Sequence, residues 1–215
     1  MKQLILQTYY KHDSQKVDKQ VGCYLPIDEL AVESEKRFRI YASSIGADYK
    51  MISEPPFKKA PQPAWARCQM FFETDYDEVC YFDADMLPSK ACLGISIFDW
   101  DGHGKKTERD EGSRAEWHIN MGTFKISKRE MYACQRLVFH KPYLRYLERF
   151  GKNQDPLNEM FKKGTGRKPK FLDPRWNCTR PHHKPRWIEH KIGHQKTEKG
   201  NQWGKLKCPV YLEEW

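Results

Sequence analysis

The fold turns on the stretch Val79-Cys80-Tyr81-Phe82-Asp83-Ala84-Asp85-Met86-Leu87-Pro88. Its first four residues are a short apolar, β-prone run, which reads as a buried strand. Two carboxylates follow at i and i+2, where the chain leaves that strand. Upstream, Leu4-Ile5-Leu6 with Tyr9 and Tyr10 reads as a first strand. From Ile27 to Ile45, Phe38, Tyr41, Ala42 and Ile45 recur at i, i+3, i+4 and i+7, a helix period that Gly46 is placed to end. Tyr49 to Ile52 reads as a second strand, stopped by Pro55-Pro56, and Trp65, Cys68 and Phe72 recur at helix spacing. Strand, helix, strand, helix, strand predicts crossover units and an α/β fold with a mostly parallel central sheet flanked by helices.

Downstream, residues 99–117 are polar and Gly-containing and read as a long mobile loop. Met121 to Ile126 reads as a strand. Ser127-Lys128-Arg129-Glu130 fits a capping box that opens a helix through Met131, Cys134, Leu137 and Val138. A short helix is expected from Pro142 to Gly151, and another, capped by Asp155-Pro156, ending near Gly164.

At 215 residues the chain suits a single domain. Its 13% aromatic content argues against disorder, because disordered chains lack the apolar surface that offsets ordering entropy. No apolar run approaches the ~20 residues that cross a bilayer. The opening Met-Lys-Gln-Leu-Ile-Leu stretch is too short for a signal peptide. Seven cysteines, an odd number without a Cys-x-x-Cys pair, argue against a secreted disulfide scaffold. A soluble, cytoplasmic protein is expected. The net charge of +9 is uneven: residues 151–215 hold 15 Lys and Arg against 7 Asp and Glu, whereas residues 1–150 hold 23 against 22. A basic C-terminal segment suits an anionic partner, whether a phosphorylated small molecule, a nucleic acid or an anionic membrane surface to which the protein is peripheral.

Asp-x-Asp occurs three times, at Asp75/Asp77, Asp83/Asp85 and Asp99/Asp101. The first and last lie in polar sequence, where Asp serves turns. Only Asp83/Asp85 follows a buried-type strand, at the end where ligands bind in open α/β sheets. If the extended geometry breaks at Ala84, both carboxylates can converge on one hard cation that keeps positions open for phosphate oxygens. A second constellation is His190-x-x-Gly193-x-x-Lys196. An imidazole can complete such a metal shell, Gly193 admits close backbone approach to a phosphate, and Lys196 places a point charge on it.

Tyr81-Phe82-Asp83-Ala84-Asp85-Met86-Leu87-Pro88, Ile119-Asn120-Met121-Gly122-Thr123-Phe124, Gln154-Asp155-Pro156-Leu157-Asn158 and His190-x-x-Gly193-x-x-Lys196 occur in that order. In this the chain resembles glycosyltransferase family 8, the retaining, metal-dependent, nucleotide-sugar enzymes of the GT-A fold. Arg39-Ile40-Tyr41-Ala42 and Trp176-Asn177 also fit, so the resemblance runs over most of the chain. It implies one GT-A-like domain over 1–215, with a nucleotide-sugar-binding half over 1–125 and an acceptor side with the basic segment over 126–215. It implies that Asp83, Asp85 and His190 hold Mn2+ or Mg2+, and that Tyr9, Ala84, Asn120, Gly122, Gly193 and Lys196 complete donor binding. Gln154, with Asp155 as a second candidate, would lie at the catalytic centre. The implied donor is a UDP-sugar; the acceptor could be a glycan, protein, lipid or nucleic acid. The chain departs from the family pattern in having Asn153-Gln154-Asp155 where Asp-Gln-Asp is frequent, and Thr197-Glu198 where Pro-Trp often follows the lysine.

Two other readings compete. Cys178, His182, His183, His190, His194 and Cys208 could supply a zinc-binding module, although no short-spaced knuckle frames them. Trp176, Trp187 and Trp203 among Lys and Arg could instead form stacking platforms for nucleic acid.

Overall fold

Leu4, Ile5 and Leu6 are all fully buried, yet they do not share a face. Leu4 and Leu6 join one core cluster with Val79 and Tyr81, while Ile5 joins a second with Cys80 and Phe82. Successive strand residues point to opposite faces, so a sheet covered on both sides reads as an unbroken apolar run. In the computed structural model, which describes residues 1–9, 27–54, 63–106, 117–138, 140, 154–178 and 187–190, these residues form the two inner strands β1 (Gln3–Thr8) and β3 (Glu78–Asp83).

With β2 (Asp48–Ile52) and β5 (Thr123–Ser127) they build a four-stranded sheet in the order β2-β1-β3-β5. β1 pairs parallel with β2 and β3, and β5 runs antiparallel to β3. A second, two-stranded antiparallel sheet joins β4 (Met86–Pro88) to β6 (Ile188–His190).

Helix α1 (Ile27–Ser44) covers one face through Phe38, Tyr41 and Ala42. Gly46 follows it at φ +71°, the left-handed turn that ends a helix. The other face is covered by α2 (Lys128–Val138), α3 (Gln154–Thr165) and the segment Pro63–Phe72. That last segment is a 3₁₀ helix. Its three-residue turn aligns positions i and i+3, and Cys68 and Phe71 are both buried at that spacing. Helix α3 opens at Gln154, so Asp155 lies within its first turn. Gly164 lets α3 approach α2 closely, since a Cβ there would lie 2.8 Å from the Ala133 carbonyl oxygen.

The start of the expected mobile loop is in fact built into the body. Gly104 bridges to Phe171 and Lys106 to Ile119. Cβ atoms at Gly102 and Gly104 would fall 2.5 Å from the Phe171 oxygen and 2.6 Å from the Thr123 oxygen. Glycine serves close backbone approach here, rather than looseness. Residues 107–116 of that loop, and the helix expected over 142–151, lie outside the described residues.

The capping box forms at the start of α2: the Ser127 N–H donates to Glu130 Oε2 at 3.0 Å. Lys170 N–H donates to His103 Nδ1 at 2.8 Å, so the ring proton sits on Nε2 and points at Glu130 Oε1, 3.2 Å away. Burial opposes the Glu130 charge, but hydrogen bonds from His103 and Ser127 overcome it and hold the carboxyl down at about 2. A depressed carboxyl stabilises the fold fully above its ordinary value of 4.5, and that contribution is lost as pH falls through about 2. Glu130→Gln should therefore lower stability by about 2 kcal/mol at neutral pH, and the deficit should shrink between pH 5 and pH 2. Urea midpoints of both proteins across that range measure it.

Five described cysteines, at positions 68, 80, 92, 134 and 178, are free and buried. Burial pushes the Cys68, Cys92 and Cys134 thiols up to about 12, as expected of small core hydrophobes. Trp176 and Trp187 belong to the core, with ring centroids 4.7 Å apart, so they anchor their segment to the body rather than offering stacking platforms. Trp203 lies outside the described residues.

Candidate functional site

β3 ends at Asp83, and the chain turns at Ala84 and Asp85 before entering β4. This is the break at Ala84 that convergence of the two carboxylates requires. The turn is held from beneath by a buried polar chain. Gln7 Nε2 donates to the Asp83 carbonyl at 3.1 Å and to Ser34 Oγ at 2.9 Å. Ser34 Oγ donates to the Met86 carbonyl at 2.6 Å, and Tyr49 Oη donates to Gln7 Oε1 at 2.8 Å. Gln7 and Ser34 are both fully buried. The carbonyls on either side of the turn are thus fixed by one residue of β1 and one of α1.

The Asp83 side chain is 9% exposed and lies against Arg67, whose Nη2 stands 2.6 and 2.8 Å from its two carboxylate oxygens. Tyr81 Oη donates to Asp83 Oδ1 at 3.0 Å and lies 3.0 Å from Thr8 Oγ1. Burial works against the Arg67 charge, and the carboxylate beside it more than offsets this, so its pKa is raised. Burial and the same carboxylate raise that of Tyr81. A carboxylate offers about four acceptor positions. Most of those on Asp83 are already engaged. Asp85, the other carboxylate of the turn, is half-buried with Oδ1 shielded from solvent.

The backbone register brings the distant histidine to this turn. β6 pairs with β4 so that His190 stands opposite Met86, one residue past Asp85. Directly opposed Cα atoms in an antiparallel pair lie about 4.5–5.5 Å apart. The Cys178 N–H donates to the Ile188 carbonyl at 2.8 Å, backing β6 from the other side. Among the described residues no group of three His, Cys, Asp or Glu side chains assembles as a metal cluster; the His190 side chain is not among those described. Two carboxylates and an imidazole position at one turn form a donor set that fits a divalent cation such as Mn2+ or Mg2+.

Asn120 and Gly122 adjoin the same turn. The Asp83 N–H donates to the Gly122 carbonyl at 2.9 Å, and the Gly122 N–H to Asn120 Oδ1 at 2.8 Å. Asn177 Nδ2 reaches the same Asn120 oxygen at 3.2 Å. Tyr9 follows the end of β1, whose Thr8 is in register with Asp83, and its N–H donates to the Ile52 carbonyl at 2.9 Å. Gln154 and Asp155 occupy the first turn of α3. One turn on, buried Asn158 exchanges two 3.0 Å hydrogen bonds with the backbone of Ile119, pinning this end of α3 to the segment that leads into Asn120. Gly193 and Lys196 lie outside the described residues. So do His182, His183, His194 and Cys208 of the zinc reading; of its other two members, His190 stands opposite Met86 and Cys178 is buried and in no disulfide.

The other two Asp-x-Asp pairs serve structure. Asp77 accepts the Lys2 N–H at 2.7 Å, and Asp101 pairs with Lys170 at 2.9 Å. Arg67, Gln7 and Ser34 are site residues that sequence reading missed. A charged residue among the apolar positions 65–72 was the only mark on Arg67, and it named no partner.

The chain is similar in structure to a glycosyltransferase involved in the glycosylation of the major capsid of PBCV-1. The TM-score is 0.56 at 12% identity, over 90% of this chain and 94% of that one. It also aligns with the glycosyltransferase GlyE of Streptococcus pneumoniae, at TM-score 0.49 and 15% identity, over 91% of this chain and 56% of that one. The galactosyltransferase LgtC, solved with donor and acceptor sugar analogs, gives TM-score 0.44 and 15% identity over 90% and 88%. No family model matches the sequence, and no curated protein matches it significantly. The fold is therefore GT-A-like: a mostly parallel sheet flanked by helices, with the acidic turn at the carboxyl end of an inner strand. Among the described residues no helix is long and apolar enough to cross a membrane.

Proposed function

We propose that this chain is a glycosyltransferase of the family 8 type, moving a sugar from a UDP-linked donor to an acceptor hydroxyl with retention of anomeric configuration. The observation that carries the reading is the meeting of Asp83, Asp85 and the His190 position at one turn, at the carboxyl end of the sheet. Asp85, Asp83 and His190 would hold Mn2+ or Mg2+. When bound, that ion offsets negative charge on the donor diphosphate.

Arg67 and Tyr81 orient Asp83. The family resemblance supplies the roles of Gly193 and Lys196, which would take the diphosphate as it departs. Asn120 and Gly122, bonded to each other and through the Gly122 carbonyl to Asp83, would border the sugar, with Tyr9 and Ala84 on the nucleotide side. By the family resemblance Gln154, in the first turn of α3, would serve the anomeric carbon, with Asp155 as the second candidate. In the reaction the bond from the anomeric carbon to the diphosphate oxygen breaks, and a bond to the acceptor oxygen forms on the same face. The acceptor proton passes to a diphosphate oxygen. No carboxylate nucleophile is needed, because electrostatic stabilisation of the leaving group contributes most.

A ligand that binds only the native state raises its melting temperature according to affinity. UDP should stabilise the protein in the presence of Mn2+ and not in EDTA, and a UDP-sugar should be hydrolysed slowly under the first condition. A response to UDP that is indifferent to metal would reject the metal assignment; no response to any nucleotide sugar would reject the class.

A further inference from the structure

Trp176-Asn177 sets an amide directly after the bulkiest apolar side chain. Asn177 is fully buried, which is costly for an amide unless it is hydrogen-bonded. The backbone explains how it is held there. Pro174–Asn177 is a 3₁₀ turn capped by Asp173, whose Oδ1 accepts the Arg175 N–H at 2.9 Å, and Trp176 locks the turn into the core. The next peptide is fixed as well, since the Cys178 N–H donates to the Ile188 carbonyl on the ribbon that carries His190.

From this base Asn177 Nδ2 donates to Asn120 Oδ1 at 3.2 Å, and the same oxygen accepts the Gly122 N–H at 2.8 Å. A carbonyl oxygen has two lone pairs, and both are used. The Gly122 N–H decides which way round the Asn120 carboxamide lies, because a flipped amide would set NH₂ against N–H. Asn177 adds the same constraint from a second direction. What is left is the Asn120 NH₂ group, which donates to none of the described residues. Asn120 is half-buried, whereas Asn177 is sealed inside, so Asn177 can influence a ligand only through its neighbour. The Gly122 carbonyl accepts the Asp83 N–H at 2.9 Å, which keeps this amide beside the acidic turn. A diphosphate calls for cationic partners; an uncharged N–H suits a hydroxyl oxygen.

We propose that Asn177 is a positioning residue for sugar recognition, holding the Asn120 carboxamide with its NH₂ group turned to a hydroxyl oxygen of the nucleotide sugar. This rests on the reading of the acidic turn as a nucleotide-sugar site, and adds the residue that fixes how the sugar part is met. Isothermal titration of the full chain with Mn2+ tests it, using UDP, UDP-glucose, UDP-galactose and UDP-N-acetylglucosamine as probes. In Asn177→Leu the affinity for the best-bound UDP-sugar should fall about fivefold or more, while that for UDP changes less than about twofold. Asn177→Ala, which adds no bulk, should do the same and stands in if Asn177→Leu melts early. In an Asn120→Ala background neither change should weaken UDP-sugar binding further, since the group it acts through is gone. A merely structural defect would lower UDP and UDP-sugar affinity together and would persist in that background. Equal loss for both ligands, no loss in a folded variant, or additive loss with Asn120→Ala overturns the proposal, as does a protein that binds UDP but none of the three UDP-sugars. Absence of UDP binding to the unaltered protein overturns the underlying reading instead.

Discussion

Asp85→Asn should abolish metal-dependent UDP binding and lower donor hydrolysis by about 10²–10³-fold or more, while the protein stays folded. The carboxamide has nearly the shape of the carboxylate, and the turn that carries it is held by the Gln7 and Ser34 side chains, through the Asp83 and Met86 carbonyls. What changes is charge and donor character. An amide oxygen is a weaker ligand for a hard cation, and its NH₂ group turns donors towards the diphosphate's counter-ion. Asp85 is chosen over Asp83 because a change at Asp83 would also break its bonds to Arg67 and Tyr81 and so confound site with fold. UDP titrations with and without Mn2+, together with melting curves, separate loss of site from loss of fold. Unchanged turnover in a folded variant would reject the site.

Arg67→Ala should be the most destabilising single change near the site, costing about 3–5 kcal/mol. The pair is largely shielded, at 17% and 9% side-chain exposure. Removing the guanidinium would leave the Asp83 carboxylate buried beside the gap where its cation stood. The same principle sets the control: replacing both partners by neutral groups of similar size costs far less than removing one. Arg67→Met combined with Asp83→Asn should recover most of the loss, and a denaturation cycle over the four proteins measures the coupling. A loss below about 1 kcal/mol for Arg67→Ala would mean the pair is effectively solvated.

The inner strands were legible in the sequence because both faces of β1 and β3 are covered, which writes the burial as a continuous apolar run. Helix α1 was legible through the recurrence of Phe38, Tyr41 and Ala42, and α2 through its capping box. The 3₁₀ form of Pro63–Phe72 was not, since aromatic and apolar spacing over ten residues suits either helix. The antiparallel course of β5 was not, because residue order carries no direction of pairing. Gly102 and Gly104 misled: their composition says flexibility, and only the approach of the Phe171 and Thr123 carbonyls reveals their purpose. Within the site, Asp83 and Asp85 stood out because a strand end is a local feature. The bonds from Gln7 to Asp83, Ser34 to Met86 and Arg67 to Asp83 span 76, 52 and 16 residues, and they exist only once the sheet has its register.

The tether beneath the acidic turn has a consequence for changing which ion the protein would prefer. With one layer gripping both flanks of the bend, its backbone cannot be widened or narrowed without disturbing the interior. The histidine arrives on a separate ribbon of three paired residues, of which Ile188 is fully buried. Adjustment of ion size, by selection or by an engineer, is therefore expected to act at the His190 end of that ribbon, past the buried Ile188, and to leave the bend itself untouched.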